Sequence, residues 1–206
     1  NDSTRYTLEE AKRLNSRKND YAPSYRGDRK TLIFTSDREN PEHDDEYRWT
    51  GLPFSDIYKA KWDRRREYYR EIEPVGGEVN TPYNEGVTTF ARRGRKMFYT
   101  QCNGPEGEKA NCRIIVARKK GGGYGDPEKL PFCKDSTVNY ANPSVSGNGK
   151  RLFFSSDKDG GEGGRDLYVS HYVSRSRTWG EPVNLGSKIN TEKDESFPFM
   201  YTNKKL

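Results

Sequence analysis

The loop from Asp157 to Gly164, with Asp166 just beyond it, sets four carboxylates (Asp157, Asp159, Glu162, Asp166) among four glycines. Hard cations take oxygen ligands on flexible loops, which makes Asp157, Asp159 and Glu162 the weak candidates for a Ca²⁺ site. The same residues also suit an ordinary loop, because glycine admits positive φ and Asp closes turns. The corresponding loops elsewhere hold Asp44-Asp45-Glu46 or Glu106 and Glu108, at other spacings. A structural metal site keeps its spacing, so a solvated loop is the reading adopted, with no metal and no other cofactor.

Catalytic chemistry finds little to work with. Glycoside hydrolysis needs two facing carboxylates, yet the runs that begin each repeat carry no Asp or Glu in their middles. His43 and His171 are the two imidazoles, and no Gly-x-Ser-x-Gly occurs. His171 continues a strand-like run and is read as structural. No enzyme activity and no catalytic residue is expected.

Cys102 and Cys112 flank the hairpin loop expected from Asn103 to Asn111, which brings their Cα atoms near the roughly 4.4–6.8 Å that a disulfide spans. A Cys102–Cys112 bond is therefore expected, and with it an oxidising compartment. Cys133 is left as a buried thiol. The alternative is three reduced thiols in a cytoplasmic protein.

Basic residues cluster as Arg64-Arg65-Arg66, Arg92-Arg93-Gly94-Arg95-Lys96 and Arg175-Ser176-Arg177, in a chain of net charge +6. Single-strand nucleic-acid sites interleave such cations with aromatics for stacking; these segments contain none, and no nucleic-acid partner is expected. Arg64, Arg65, Arg66, Arg92, Arg93 and Arg95 are candidates for contacting a protein partner. Trp49, in the long insertion from Asp37 to Ser55, is another.

The elements that must position these groups recur along the chain. Leu32-Ile33-Phe34-Thr35-Ser36 matches Met97-Phe98-Tyr99-Thr100-Gln101 and Leu152-Phe153-Phe154-Ser155-Ser156. Ala22-Pro23-Ser24-Tyr25 matches Asn142-Pro143-Ser144-Val145 and Phe197-Pro198-Phe199-Met200. Third runs are Asp56–Ala60, Arg113–Ala117 and Asp166–Ser170. Fourth runs follow an aromatic and a Pro, as in Trp179-Gly180-Glu181-Pro182-Val183. Leu14-Asn15-Ser16, Val79-Asn80-Thr81 and Ile189-Asn190-Thr191 join successive copies, and Val138-Asn139 is a shortened version. Each copy holds four short runs bounded by turn residues, so each reads as four antiparallel strands. Repeats of roughly 50 residues with four strands each have the period of a β-propeller.

The fold class expected is thus all-β, a propeller of three complete blades (about 19–80, 84–139 and 140–190) with partial blades at 6–16 and 194–206. It is a single, partial propeller domain over residues 1–206, or a segment of a longer chain. Residues 6–16 are read as a strand in preference to the helix that their capping box would also allow. Leu152 and Phe154 are expected on opposite faces of their strand, each covered by a neighbouring blade. With 33% charged residues the loops should be wide and polar, while 13% aromatics argue for a packed fold over disorder. No run of about 18 apolar residues is present, so no membrane span is expected.

Ser155-Ser156-Asp157, Gly160-Gly161, Gly163-Gly164, Asp166-Leu167-Tyr168-Val169-Ser170, Trp179-Gly180-Glu181-Pro182, Asn184-Leu185-Gly186 and Ile189-Asn190-Thr191 carry a resemblance to TolB-type, WD40-like propeller repeats. It is closest to the copies in Bacteroidetes outer-membrane proteins that also carry an OmpA-like domain, and to PorE-type propellers of the type IX secretion system. The resemblance implies a non-enzymatic periplasmic scaffold, associated with the outer membrane, whose partners are other proteins of an outer-membrane or secretion complex. Peptidoglycan would be reached only through a domain that this chain does not contain. The alternatives are a polyanion- or nucleic-acid-binding propeller and a glycan-binding, sialidase-like one. Ser155-Ser156-Asp157-Lys158-Asp159-Gly160 resembles the sialidase Asp-box but lacks its closing aromatic. A propeller that gates a peptidase would need a hydrolase domain.

Antiparallel strands place the first and third turns of each blade at one end, and the second turn and the link to the next blade at the other. Sorted this way, the basic turns around Arg26, Arg64, Arg92, Arg118, Lys150 and Arg175 share one end. The acidic stretches around Asp37, Asp44, Glu85, Glu106, Asp135, Asp157 and Glu192 share the other, with few compensating bases.

Overall fold

A computed structural model describes residues 7, 9–11, 13–28, 30–40, 46–47, 52–103 and 111–200. Among these residues there is no helix. The strands are β1 (Asp20–Tyr25), β2 (Thr31–Ser36), β3 (Glu46–Tyr47), β4 (Leu52–Pro53), β5 (Asp56–Asp63), β6 (Tyr68–Pro74), β7 (Asn84–Ala91), β8 (Lys96–Asn103), β9 (Asn111–Lys120), β10 (Gly123–Lys129), β11 (Tyr140–Val145), β12 (Arg151–Ser156), β13 (Asp166–Val173), β14 (Thr178–Trp179) and β15 (Val183–Asn184). They form three antiparallel sheets: β1-β2-β5-β6, then β7-β8-β9-β10, then β11-β12-β13-β14 with β15 also paired to β13. The hairpin β3-β4 lies inside the first sheet's long insertion.

Aromatic and β-branched residues fill these strands, which suits them to surfaces packed on both faces. The alternation decides which neighbour each side chain meets. Phe34, Tyr99 and Phe154 are equivalent and point toward the preceding sheet. Ile33, Phe98 and Phe153 point toward the following one. Ile33 and Tyr99 accordingly meet in a core between the first two sheets, with Ile57, Val79, Met97 and Ala117. Phe98 and Phe154 meet in a core between the second and third, with Ile114, Phe132, Leu152 and Trp179. Phe34 packs with Tyr58, Ala60 and Leu14 on the outer side of the first sheet, while Phe153 is only half-buried. Leu152 and Phe154 do not lie on opposite faces. Two residues apart, they share the face toward the second sheet, and both are fully buried.

Two further expectations change. The described part of residues 6–16 is not a strand: Leu14 and Asn15 both donate backbone hydrogen bonds to the Ala11 carbonyl. A strand needs a ladder partner for its polar backbone, and none of the sheets extends to this segment. The fourth run of the third sheet is broken in two, because Gly180-Glu181-Pro182 interrupts the pairing of β14 and β15 with β13. Residues 201–206 lie outside the described residues, as do His43, Trp49, Asp44, Asp45, Glu106 and Glu108.

Candidate interaction surface

The first strand of each sheet carries a bulge at one fixed place, where the register shifts between Tyr21 and Ser24, Gly86 and Thr89, and Ala141 and Ser144. Its central residue has positive φ although it is not glycine: Ala22 at 50°, Val87 at 50° and Asn142 at 55°. Phe197, at 55°, repeats the conformation in the segment 194–200. A β-branched residue such as Val87 pays for this conformation, and a neighbouring sheet holds it there. Val87 N donates to Thr35 Oγ1 (3.1 Å), and Asn142 N donates to the equivalent Thr100 Oγ1 (3.0 Å). Further along the same segments, Val145 N donates to Thr89 Oγ1 (3.2 Å) and Met200 N to Ser144 Oγ (2.8 Å). Residues 194–200 therefore lie against β11 as β11 lies against β7.

The three bulges and the Phe197 segment, which forms no strand over residues 194–200, converge. A cavity of about 210 Å³ is lined by Pro23, Ser24, Thr89, Pro143, Val145 and Met200, among others. A second, of about 260 Å³, is lined by Tyr21, Glu85, Thr100, the two bonded cysteines and Arg165. Both are bounded by Val87, Asn142 and Phe197.

At one end of the strands the first turns interlock. Arg92 N donates to Gly147 O at 3.0 Å, joining the second and third sheets. A Cβ on Gly27 would meet the Arg93 backbone at 3.2 Å, and one on Gly94 would meet Arg26 O at 2.3 Å. The third turns flank the first: Trp62 N donates to Lys30 O, Lys119 N to Arg95 O, and Tyr172 N to Lys150 O. Arg64, Arg65, Arg66, Arg92, Arg93 and Arg95 are all exposed at this end. Arg66 donates to the Tyr68 hydroxyl. Arg64, Arg65, Arg92, Arg93 and Arg95 have no carboxylate partner among the described residues. Lys96 is held below the ordinary lysine range by burial and then by the neighbouring Arg92 and Arg118.

At the opposite end Glu39, Asp135, Asp159, Glu162, Glu192 and Asp194 are exposed, and Glu42, Asp44, Asp45, Glu106 and Glu108 lie outside the described residues. Other carboxylates there are engaged inside the fold. Asp157 accepts from Asn139 N and Nδ2, and Asp37 accepts from Asn19 in the same way. Glu85 accepts from Thr81 N, Thr81 Oγ1 and Gln101 Nε2. Glu195 is held likewise by Thr191, and Asp20 by Ser16. Exposed bases stand among them, including Lys18, Lys134, Lys158, Lys188 and Lys193. Burial pushes the Glu85 carboxyl up to about 8, against the hydrogen bonds from Thr81 and Gln101. In the sequence Glu85 is grouped only with the acidic stretches, yet the Ser/Thr-x-x-x-Asp/Glu spacing shared by Ser16 and Asp20, Thr81 and Glu85, and Thr191 and Glu195 marks it as a buried partner.

No three of His, Cys, Asp and Glu gather to hold a metal among the described residues. Asp166 turns inward to accept from Glu162 N and Asn184 Nδ2, while Asp159 and Glu162 remain exposed. His171 is exposed, and its carbonyl accepts from Gly180 N.

Cys102 and Cys112 face each other across β8 and β9 and are bonded, with Cα atoms 4.0 Å apart. Cys133 is a buried free thiol, which burial pushes up to about 11. No helix among the described residues is long and apolar enough to cross a membrane. No family model and no curated protein matches this chain.

Proposed function

We propose that the three sheets are blades of a β-propeller, and that the protein is a non-enzymatic scaffold that docks other proteins. The observation that carries this is the repeated tie between a Thr or Ser hydroxyl of one sheet and the first-strand backbone of the next. It sets four equivalent segments around shared cavities and leaves every turn at one of two ends, which is how propellers present loops. The resemblance to PorE-type propellers supports a periplasmic location, with partners in an outer-membrane or type IX secretion assembly. The Cys102–Cys112 bond fits an oxidising compartment.

Proximity labelling from the protein in its own cells tests the reading. Outer-membrane or secretion proteins should be labelled, and the labelled protein should carry an oxidised Cys102–Cys112 pair. Recovery from the cytoplasm with three free thiols, or turnover of a glycan or peptide substrate by the purified chain, would overturn it.

A further inference from the structure

We infer that the basic end docks an acidic polypeptide segment, laid over the turn Arg92-Arg93-Gly94-Arg95 where the first turns of the three sheets meet. This rests on the scaffold reading above and adds to it the docking end and the chemistry of the partner.

The charge at this centre is not neutralised within the chain. Some cations of this end are paired, Arg26 with Asp28, Arg118 with Glu128 and Lys120 with Asp126, while Arg64 and Arg65 in the flanking third turn have no carboxylate partner among the described residues. At the centre, Arg92, Arg93 and Arg95 have no such partner among the described residues. Like charges held together destabilise the free protein and favour an incoming anion. Arginine also presents a planar fork that takes a carboxylate through two parallel hydrogen bonds.

The centre is built to keep its shape. Arg92, Arg93 and Gly94 follow one another with φ of 53°, 57° and 78°, a left-handed run that two arginines adopt only when the surroundings impose it. Those surroundings are Gly147 O on Arg92 N, Arg26 packed against Gly94, and the buried Tyr124 hydroxyl donating to Gly94 O at 2.7 Å. A backbone already fixed adds no ordering cost of its own to binding. Consecutive left-handed arginines, strained and unpaired, suit a site more than a solubilising turn.

A nucleic acid fits less well. Single strands are tracked along a basic groove and stacked on aromatics, whereas these cations gather round one centre. Of the aromatics near this end, the Tyr25 and Tyr69 hydroxyls are 2.8 Å apart, the Trp62 ring packs edge-on against Tyr69 at 5.0 Å, and Tyr68 accepts from Arg66 with Arg13 over its ring.

The test is fluorescence anisotropy on the purified chain with a labelled Glu-rich peptide. A single-stranded oligonucleotide of equal charge and phosphatidylglycerol vesicles are compared in the same buffer. The peptide should bind, more weakly as salt rises. Arg92→Glu with Arg93→Glu should weaken it about tenfold or more. Lys158→Glu with Lys188→Glu, at the opposite end, should leave it unchanged. Circular dichroism and Tm check that the variants are folded. Should the central pair fail to fold, Arg64→Glu with Arg65→Glu should give a several-fold loss. Equal affinity in the wild type and the basic-end variants would overturn the inference, as would tighter binding of the oligonucleotide or the vesicles. Either outcome leaves the scaffold reading to its own test.

Discussion

The carboxylate of Asp157 accepts two hydrogen bonds from Asn139, from its backbone N at 2.6 Å and its Nδ2 at 2.7 Å. Asp37 and Asn19 form the same pair in the first sheet, at 2.6 and 2.7 Å. Each pair ties the approach to a first strand to the end of the second strand. Hydrogen bonds to a charged group contribute about 1.5–3 kcal/mol, and Asp157→Ala should lower stability on that scale in urea unfolding. Added Ca²⁺ or EDTA should leave the wild-type Tm unchanged, since the carboxylate is already engaged. A Tm raised by Ca²⁺ and insensitive to Asp157→Ala would reverse this assignment.

Phe154 is fully buried between Phe132, Tyr140 and Tyr168, with the Phe132 ring stacked on it at 5.0 Å. Phe154→Ala removes a large side chain from the core between the second and third sheets, at a cost of about 3–5 kcal/mol. That is comparable with the whole stability of a marginal domain. Equilibrium unfolding should show the loss; a shift below about 1 kcal/mol would contradict the packing.

The Cys102–Cys112 bond closes a loop with a sequence separation of 10. In the chain-entropy model this contributes about 2–3 kcal/mol. The Cys102→Ser, Cys112→Ser double variant should lose that much and become insensitive to dithiothreitol. Cys133 should stay unreactive toward maleimide until the protein unfolds, because burial raises its pKa and excludes the reagent.

Glu85 is 1% exposed and its carboxyl is raised to about 8 from an ordinary 4.5. Between those values the folded protein holds a proton that the unfolded chain has released. Stability therefore falls as pH rises through this window. Glu85→Gln keeps the hydrogen-bonding shape without the charge and should flatten this part of the pH profile, gaining on the wild type toward pH 8. Parallel denaturation profiles for the two proteins from pH 5 to 8 would show that Glu85 titrates normally.

Much of the fold was legible in the sequence. The strand runs starting at Leu32, Met97 and Leu152 are matched in the register of the sheets, because alternating apolar residues between turn formers are a local signal. The Cys102–Cys112 pairing was equally local, since a hairpin puts its two ends side by side. The turns at Arg64, Arg92 and Arg175 were sorted to one end by strand direction alone.

What lay beyond the sequence depends on contacts between sheets. The left-handed bulge at Val87 goes against its own preference, and it is held by Thr35 on the preceding sheet. The segment before Asp20 could have been strand or helix; without a ladder partner it became a turn. At the end opposite Arg92, Asp159 and Glu192 are exposed while Asp157 and Glu85 fold back onto backbone amides, and what stands beside each carboxylate decides which it does. The sequence by itself determined three four-stranded repeats, their disulfide and the sidedness of their basic turns, because those follow from periodicity and chain direction. Only the tertiary structure decided which charges are left free, since pairing and burial belong to neighbours far apart along the chain.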